Sequence, residues 1–165
     1  MTAAIVRDLP DIGSLGPRVI LAGMGRLEAR AQVDWSGYRG SVSGASGALH
    51  APTSTQAELG GPGEGTNPEE LLAAAHANCF TSTLTALARS RELPLDRIET
   101  DVTTELVWED GHGGHRLASS TIRVRVTTPA PWEDVQRLVR DAEHECPVCR
   151  AIAGNVAMRV ELERG

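Results

Sequence analysis

The chain has 165 residues, 41% of them hydrophobic but only 3% aromatic, and a net charge of −6 at pH 7. A chain of this size reads as one globular domain with a core of Leu, Val, Ile and Ala, and its acidic balance argues against nucleic acid, whose phosphates need a basic face. Three cysteines, an odd number, do not make a secreted disulfide framework and point to a reducing cytoplasm. No segment approaches the length of a membrane span, and VILAG at 19–23 is too short for a secretory core.

Residues 1–17 mix Asp, Pro and Gly without a period and read as a loose extension. Residues 18–35 look like strand material, with Leu27, Ala29, Ala31 and Val33 alternating against polar neighbours. Gly37-Tyr38-Arg39-Gly40 reads as a turn, 41–50 as a short strand or hairpin arm, and the Gly- and Pro-rich 51–66 as a loop. A long helix is expected over 66–91, with Asn67 as N-cap, Pro68 at the first helical position and Glu70 as capping-box partner. Its leucines and alanines cover more than one face, so it belongs in a core or an interface.

Pro94 ends that region, and 96–109 with 116–127 form a hairpin around 110–114. In the second arm Ile122, Val124 and Val126 share one face and Arg123 and Arg125 the other. A helix over 131–144 carries Val135, Leu138 and Val139 on one stripe, Cys146-Pro147 opens a third helix, and Val156, Met158, Val160 and Leu162 alternate in a last strand. This order predicts an α+β fold with a mostly antiparallel sheet packed on a long buried central helix.

The cysteines are the residues with chemistry to offer. Cys146 stands at a helix start, where free N–H groups favour a thiolate, whereas Cys79 lies deep inside its helix and needs a cation from elsewhere. Taken alone, Cys79 is most simply a small buried hydrophobe. Cys146 and Cys149 form CPVC, but a thioredoxin-like motif should follow a strand, and this one follows a helix. A metal site drawing on His76, Cys79, His144, Cys146 and Cys149 is the other option, and one CxxC is a poor zinc signature. His112 and His115 read as solvated turn residues, and His50 has no distinguishing context.

Two segments, ELGGPGEGTNPEELLAAAHANCF (58–80) and CPVCRAIAGNV (146–156), with WSGYRGSVSGASGAL (35–49) as a weaker third, resemble the OsmC/Ohr family of thiol-dependent peroxidases. The resemblance covers about 27–163, setting residues 1–26 apart as an N-terminal extension to a single domain over 27–165. It implies that Cys79 is the peroxidatic cysteine, Cys146 the resolving one, and Glu69 the carboxylate that orients an arginine, for which Arg39 is the candidate. Cys149 stands where the family usually has Ser. The GGPGEGTNPEE stretch leans toward Ohr, while HANCF and CPVC lean toward OsmC.

The implied activity is reduction of organic hydroperoxides to alcohols through a Cys79 sulfenic acid, resolved by Cys146 as a disulfide and recycled by an external dithiol such as a lipoyl protein. No cofactor, metal ion, nucleic acid or membrane is expected. Glu69 and Cys79, ten positions apart on one straight helix, stand about 15 Å apart along its axis and on different faces. They cannot flank one guanidinium unless the helix breaks or a second chain contributes, and the family's intertwined homodimer supplies the second chain. The rivals are a CxxC thiol–disulfide oxidoreductase or zinc protein using Cys146 and Cys149, and a non-catalytic protein of the same fold.

Overall fold

The structure, a computed structural model, describes residues 26–108 and 114–165. The readings for 1–25, VILAG among them, and for His112 and its turn at 110–113 lie outside the described residues. The chain divides into Met1–Arg30, whose described part has no helix or strand, and Ala31–Gly165. Leu27 and Ala29, expected in a strand, therefore precede the first one.

Ala31–Ser36 (β1), Arg39–Gly44 (β2) and His50–Ser54 (β3) form an antiparallel sheet in that order. The turn between β1 and β2 is only Gly37-Tyr38, with Gly37 at φ +61°, a conformation suited to the first position of a two-residue hairpin. Arg39 and Gly40, expected in the turn, instead pair with Ser36 and Trp35. β3 lies in a stretch that reads as loop, since Pro52 and neighbouring polar residues hide it; Pro is tolerated because β3 is the sheet's edge. Every residue of β1 is exposed, Val33 at 56% and Trp35 at 45%.

The chain then passes a 3-10 turn at Ala57–Leu59 and returns along β3, where Thr66 N–H donates to the Pro52 carbonyl (2.9 Å) and Ser54 N–H to that of Thr66 (3.1 Å). Gly65, at φ +95°, permits that approach: a Cβ there would stand 2.7 Å from the Pro52 oxygen. The long helix follows as Pro68–Ser90 (α1), capped by Asn67 Oδ1, which accepts from Glu70 N–H at 2.8 Å. The Glu70 carboxylate takes the Thr66 hydroxyl, at 2.9 Å.

Arg97–Val107 (β4) and Arg116–Thr127 (β5) form the expected hairpin, and Ala157–Arg164 (β6) joins β5 in parallel, so among the described residues three of the four strand pairings are antiparallel. The parallel pairing follows from the crossover through Trp132–Glu145 (α2) and Pro147–Ile152 (α3), which returns the chain to the end of the sheet where β5 began. Ile122, Val124 and Val126 of β5 and Val135, Leu138, Val139 and Ala142 of α2 meet Phe80, Leu84 and Ala88 of α1 in the core. On the outer face Arg123 pairs with Glu161 (3.0 Å) and Arg125 with Glu163 (2.8 Å), directly across the register.

By length and composition α1, with 23 residues, could cross a membrane, contrary to the expectation from the sequence. Its surroundings suit a core helix better, since it packs on β4, α2 and α3. Within the chain only one stripe is fully buried, His76, Phe80, Leu84 and Ala88, spaced four apart, while Ala74, Asn78, Ser82 and Ala86 stay exposed.

Candidate active site

Cys79 sits beside the buried stripe of α1, next in sequence to Phe80, and is half-buried. Opposite it, α2 ends and α3 begins at a single residue, Cys146, which caps both. Its N–H donates to the Ala142 carbonyl (2.9 Å) and its carbonyl accepts from Arg150 N–H (3.0 Å), so the backbone turns sharply there without losing hydrogen bonds. Pro147 at the first position of α3 fixes the turn. The junction presents the Cys146 thiol, itself fully buried, to the thiol of Cys79.

The groups acting on the Cys79 thiol oppose one another. Burial pushes it above its ordinary value, the backbone N–H of Val148 pulls it down, the Cys146 thiol pushes it up and the Thr83 hydroxyl pulls it down; burial prevails. None of these is a cation, so among the described residues nothing offsets burial and Cys79 is held as a thiol.

Behind this pair lies an arrangement that the sequence offered only within a weak metal-site option, and without Ser120. His76, fully buried on α1, places Nδ1 2.9 Å from Ser120 Oγ of β5 and Nε2 3.1 Å from Cys149 Sγ of α3. Burial holds the imidazole below its ordinary value and pushes the Cys149 thiol up to about 12, so both are neutral near pH 7. A neutral ring can bond on both sides only by donating from one nitrogen and accepting at the other, and the thiol is the natural donor to Nε2. The available signal was the spacing His76, Phe80, Leu84, Ala88, which marks His76 as a core position.

Arg39 and Glu69 are not brought to Cys79. Arg39 Nη2 pairs with Glu64 at 2.9 Å, both side chains well exposed, and the Glu69 carboxylate accepts from the Gln56 amide. The expected pairing of Glu69 with Arg39 is thus not made within the chain. The two nevertheless belong to one neighbourhood, since the register partner of Arg39 is Ser54, two residues before Gln56. Glu69 lines a cavity of about 470 Å3 with Gln56, Leu59, Ala73, Val102 and Trp108. Because α1 is unbroken from Pro68 to Ser90, a break between Glu69 and Cys79 is excluded.

A long core helix with a central cysteine, set against a second thiol at a helix junction and packed on one of two small sheets, defines the class. The family model described as OsmC-like protein matches residues 61–161, and the chain belongs to this OsmC/Ohr family. An organic hydroperoxide resistance protein of Xanthomonas axonopodis pv. citri is 33% identical over 128 residues, which is 76% of this chain and 87% of that protein. Among solved structures, an organic hydroperoxide resistance protein OsmC of Legionella pneumophila superposes with a TM-score of 0.74 at 27% identity, covering 85% of this chain and 99% of that one. The organic hydroperoxide resistance protein OhrB of Bacillus subtilis gives a TM-score of 0.68 at 28% identity, covering 83% and 98%.

Proposed function

We propose that the chain is a two-cysteine peroxidase that reduces organic hydroperoxides to alcohols. The observation that carries this reading is the proximity of Cys79 to Cys146, two thiols from distant parts of the chain, one half-buried and one fully buried. That asymmetry suits the roles: the more accessible thiol meets the peroxide, and the shielded one waits to resolve it. The names of the relatives point the same way.

In the reaction the Cys79 thiolate attacks the outer peroxide oxygen. The O–O bond breaks, the alkoxide takes a proton and leaves as alcohol, and Cys79 becomes a sulfenic acid. The Cys146 sulfur then displaces hydroxide, which leaves as water, and forms a Cys79–Cys146 disulfide. An external dithiol, of which a lipoyl group is one, reduces it and is itself oxidised. The apolar neighbours of Cys79 favour alkyl or fatty-acid hydroperoxides over hydrogen peroxide; faster turnover of hydrogen peroxide than of cumene hydroperoxide would sink that preference.

The missing cation comes, in this reading, from a second copy. Arg39, fixed by Glu69, reaches Cys79 of the partner, lowers its pKa and polarises the peroxide. Three features support an intertwined homodimer: the unbroken helix between Glu69 and Cys79, the exposed face of α1 rich in small residues, and the wholly exposed β1. Free thiols suit a reducing cytoplasm.

The CxxC oxidoreductase reading fits less well, since Cys146 and Cys149 are both buried and no dithiol could reach them first. Mass-spectrometric mapping after one equivalent of cumene hydroperoxide, with consumption followed in parallel, decides between them. Rapid consumption with a Cys79–Cys146 bridge is the expected result. No consumption, or only a Cys146–Cys149 bridge, removes the function and leaves the fold.

A further inference from the structure

Cys149 and His76 take no part in the peroxide chemistry above, yet they are placed with care. His76 Nε2, Cys146 Sγ and Cys149 Sγ lie within 4.8 Å of one another, and all three residues are buried. A tetrahedral cation with bonds of about 2.3 Å to sulfur and about 2.0–2.1 Å to nitrogen spaces its donors about 3.5–3.8 Å apart. Small side-chain rotations cover the difference.

The imidazole is also held as a metal-bound histidine is held. Its outer nitrogen, Nδ1, meets Ser120 Oγ at 2.9 Å, which fixes the ring and leaves the Nε2 lone pair facing the sulfurs. Cys146 and Cys149 stand together at the start of α3, and His76 reaches them from α1 across the core. A single CxxC is a poor zinc signature; a buried histidine supplied across the core by another helix adds a third donor.

We propose that the fully reduced chain binds one borderline-soft divalent cation of the Zn2+ type through His76 Nε2, Cys146 Sγ and Cys149 Sγ. The fourth position is open to a water molecule. Nothing is oxidised or reduced on binding. Each ligating thiol releases its proton to solvent, so a site of two thiolates and a neutral imidazole carries no net charge with the cation in place. The cation and a Cys79–Cys146 disulfide exclude each other, because both use the Cys146 sulfur. The half-buried side of Cys79 is the way in.

The test uses the reduced full-length chain without oxygen, titrated with Co2+ as a spectroscopic stand-in and then with Zn2+. The expected result is one Co2+ per chain, with thiolate-to-cobalt charge-transfer absorption and the intense visible bands of a tetrahedral site, all displaced by one equivalent of Zn2+. Cys149→Ser keeps a hydroxyl donor for His76 and so preserves the local packing, but should weaken Co2+ binding at least about tenfold. Absence of the charge-transfer band, or a Cys149→Ser chain that binds as tightly as the parent with the same spectrum, overturns the proposal. Circular dichroism verifies that the variant is folded. Peroxide consumption by the metal-free chain is measured separately, so loss of the peroxidase reading leaves the metal site standing, and the reverse.

Discussion

At the scale of single residues, the argument turns on what surrounds one sulfur. Replacing the attacking sulfur by a hydroxyl removes the nucleophile, so Cys79→Ser is expected to lower peroxide consumption by at least about 100-fold, followed by ferrous-xylenol assay. Cys146→Ser should instead permit one rapid turnover and then stop, with a sulfenic acid at Cys79 that dimedone labels. Continued turnover at the parent rate would show that Cys146 does not resolve. Burial by itself pushes the Cys79 thiol above its ordinary value of 9.0, whereas a guanidinium beside it favours the charged form and pulls it down. The alkylation rate of Cys79 against pH should therefore have its midpoint below 9.0 in the parent and above it in Arg39→Gln. An unchanged midpoint would remove Arg39 from the site. Cys79 and Cys146 were legible as residues, from their two motifs. Their pairing was implied by the family resemblance; the bond of Cys149 to His76 was not, because α1 and α3 meet only through the core.

At the scale of elements, α1 carries most of what was readable. Its start was set by local chemistry alone: the Asn67 side chain accepting from Glu70 N–H, and Pro68 with no N–H to lose. Asn67→Ala should cost about 1 kcal/mol in urea unfolding, as loss of a cap usually does. Leu84 is fully buried between β5 and α2, so Leu84→Ala should cost about 2–5 kcal/mol. A Leu84→Ala effect no larger than that of the exposed Ser82→Ala would mean that the core lies elsewhere. The amphipathic α2 and the alternating β5 were legible for the same reason, a period that matches one buried face. β3 was not. Its residues, His-Ala-Pro-Thr-Ser, have no alternation of their own, and they are a strand only because β2 offers them a hydrogen-bonding edge. The fully exposed β1 shows a related limit: a strand pattern says nothing of what covers it.

At the scale of the whole molecule, the proposal stands on the separation of Glu69 from Cys79. If the arginine acts across a two-fold interface, a chain lacking Arg39 and a chain lacking Cys79 restore one intact site per mixed dimer. Refolding Arg39→Gln with Cys79→Ser in equal amounts should then recover about a quarter of parental activity, half the dimers being mixed and each carrying one of two sites. No recovery, with mixed dimers verified by mass, would place the arginine in the same chain as its cysteine. Sedimentation of the parent should give a dimer at assay concentrations; a fully active monomer would refute the shared site. The family, the α+β class, the three helices and the two cysteine motifs were determined by the sequence itself, because each rests on local spacing, capping or residue type. Only the tertiary structure decided that His76 meets Cys149 and Ser120, and that within the chain Arg39 pairs with Glu64 and Glu69 with Gln56. Those are contacts between residues distant in sequence, those of His76 set by how α1 packs on α3 and β5, and no local pattern encodes them.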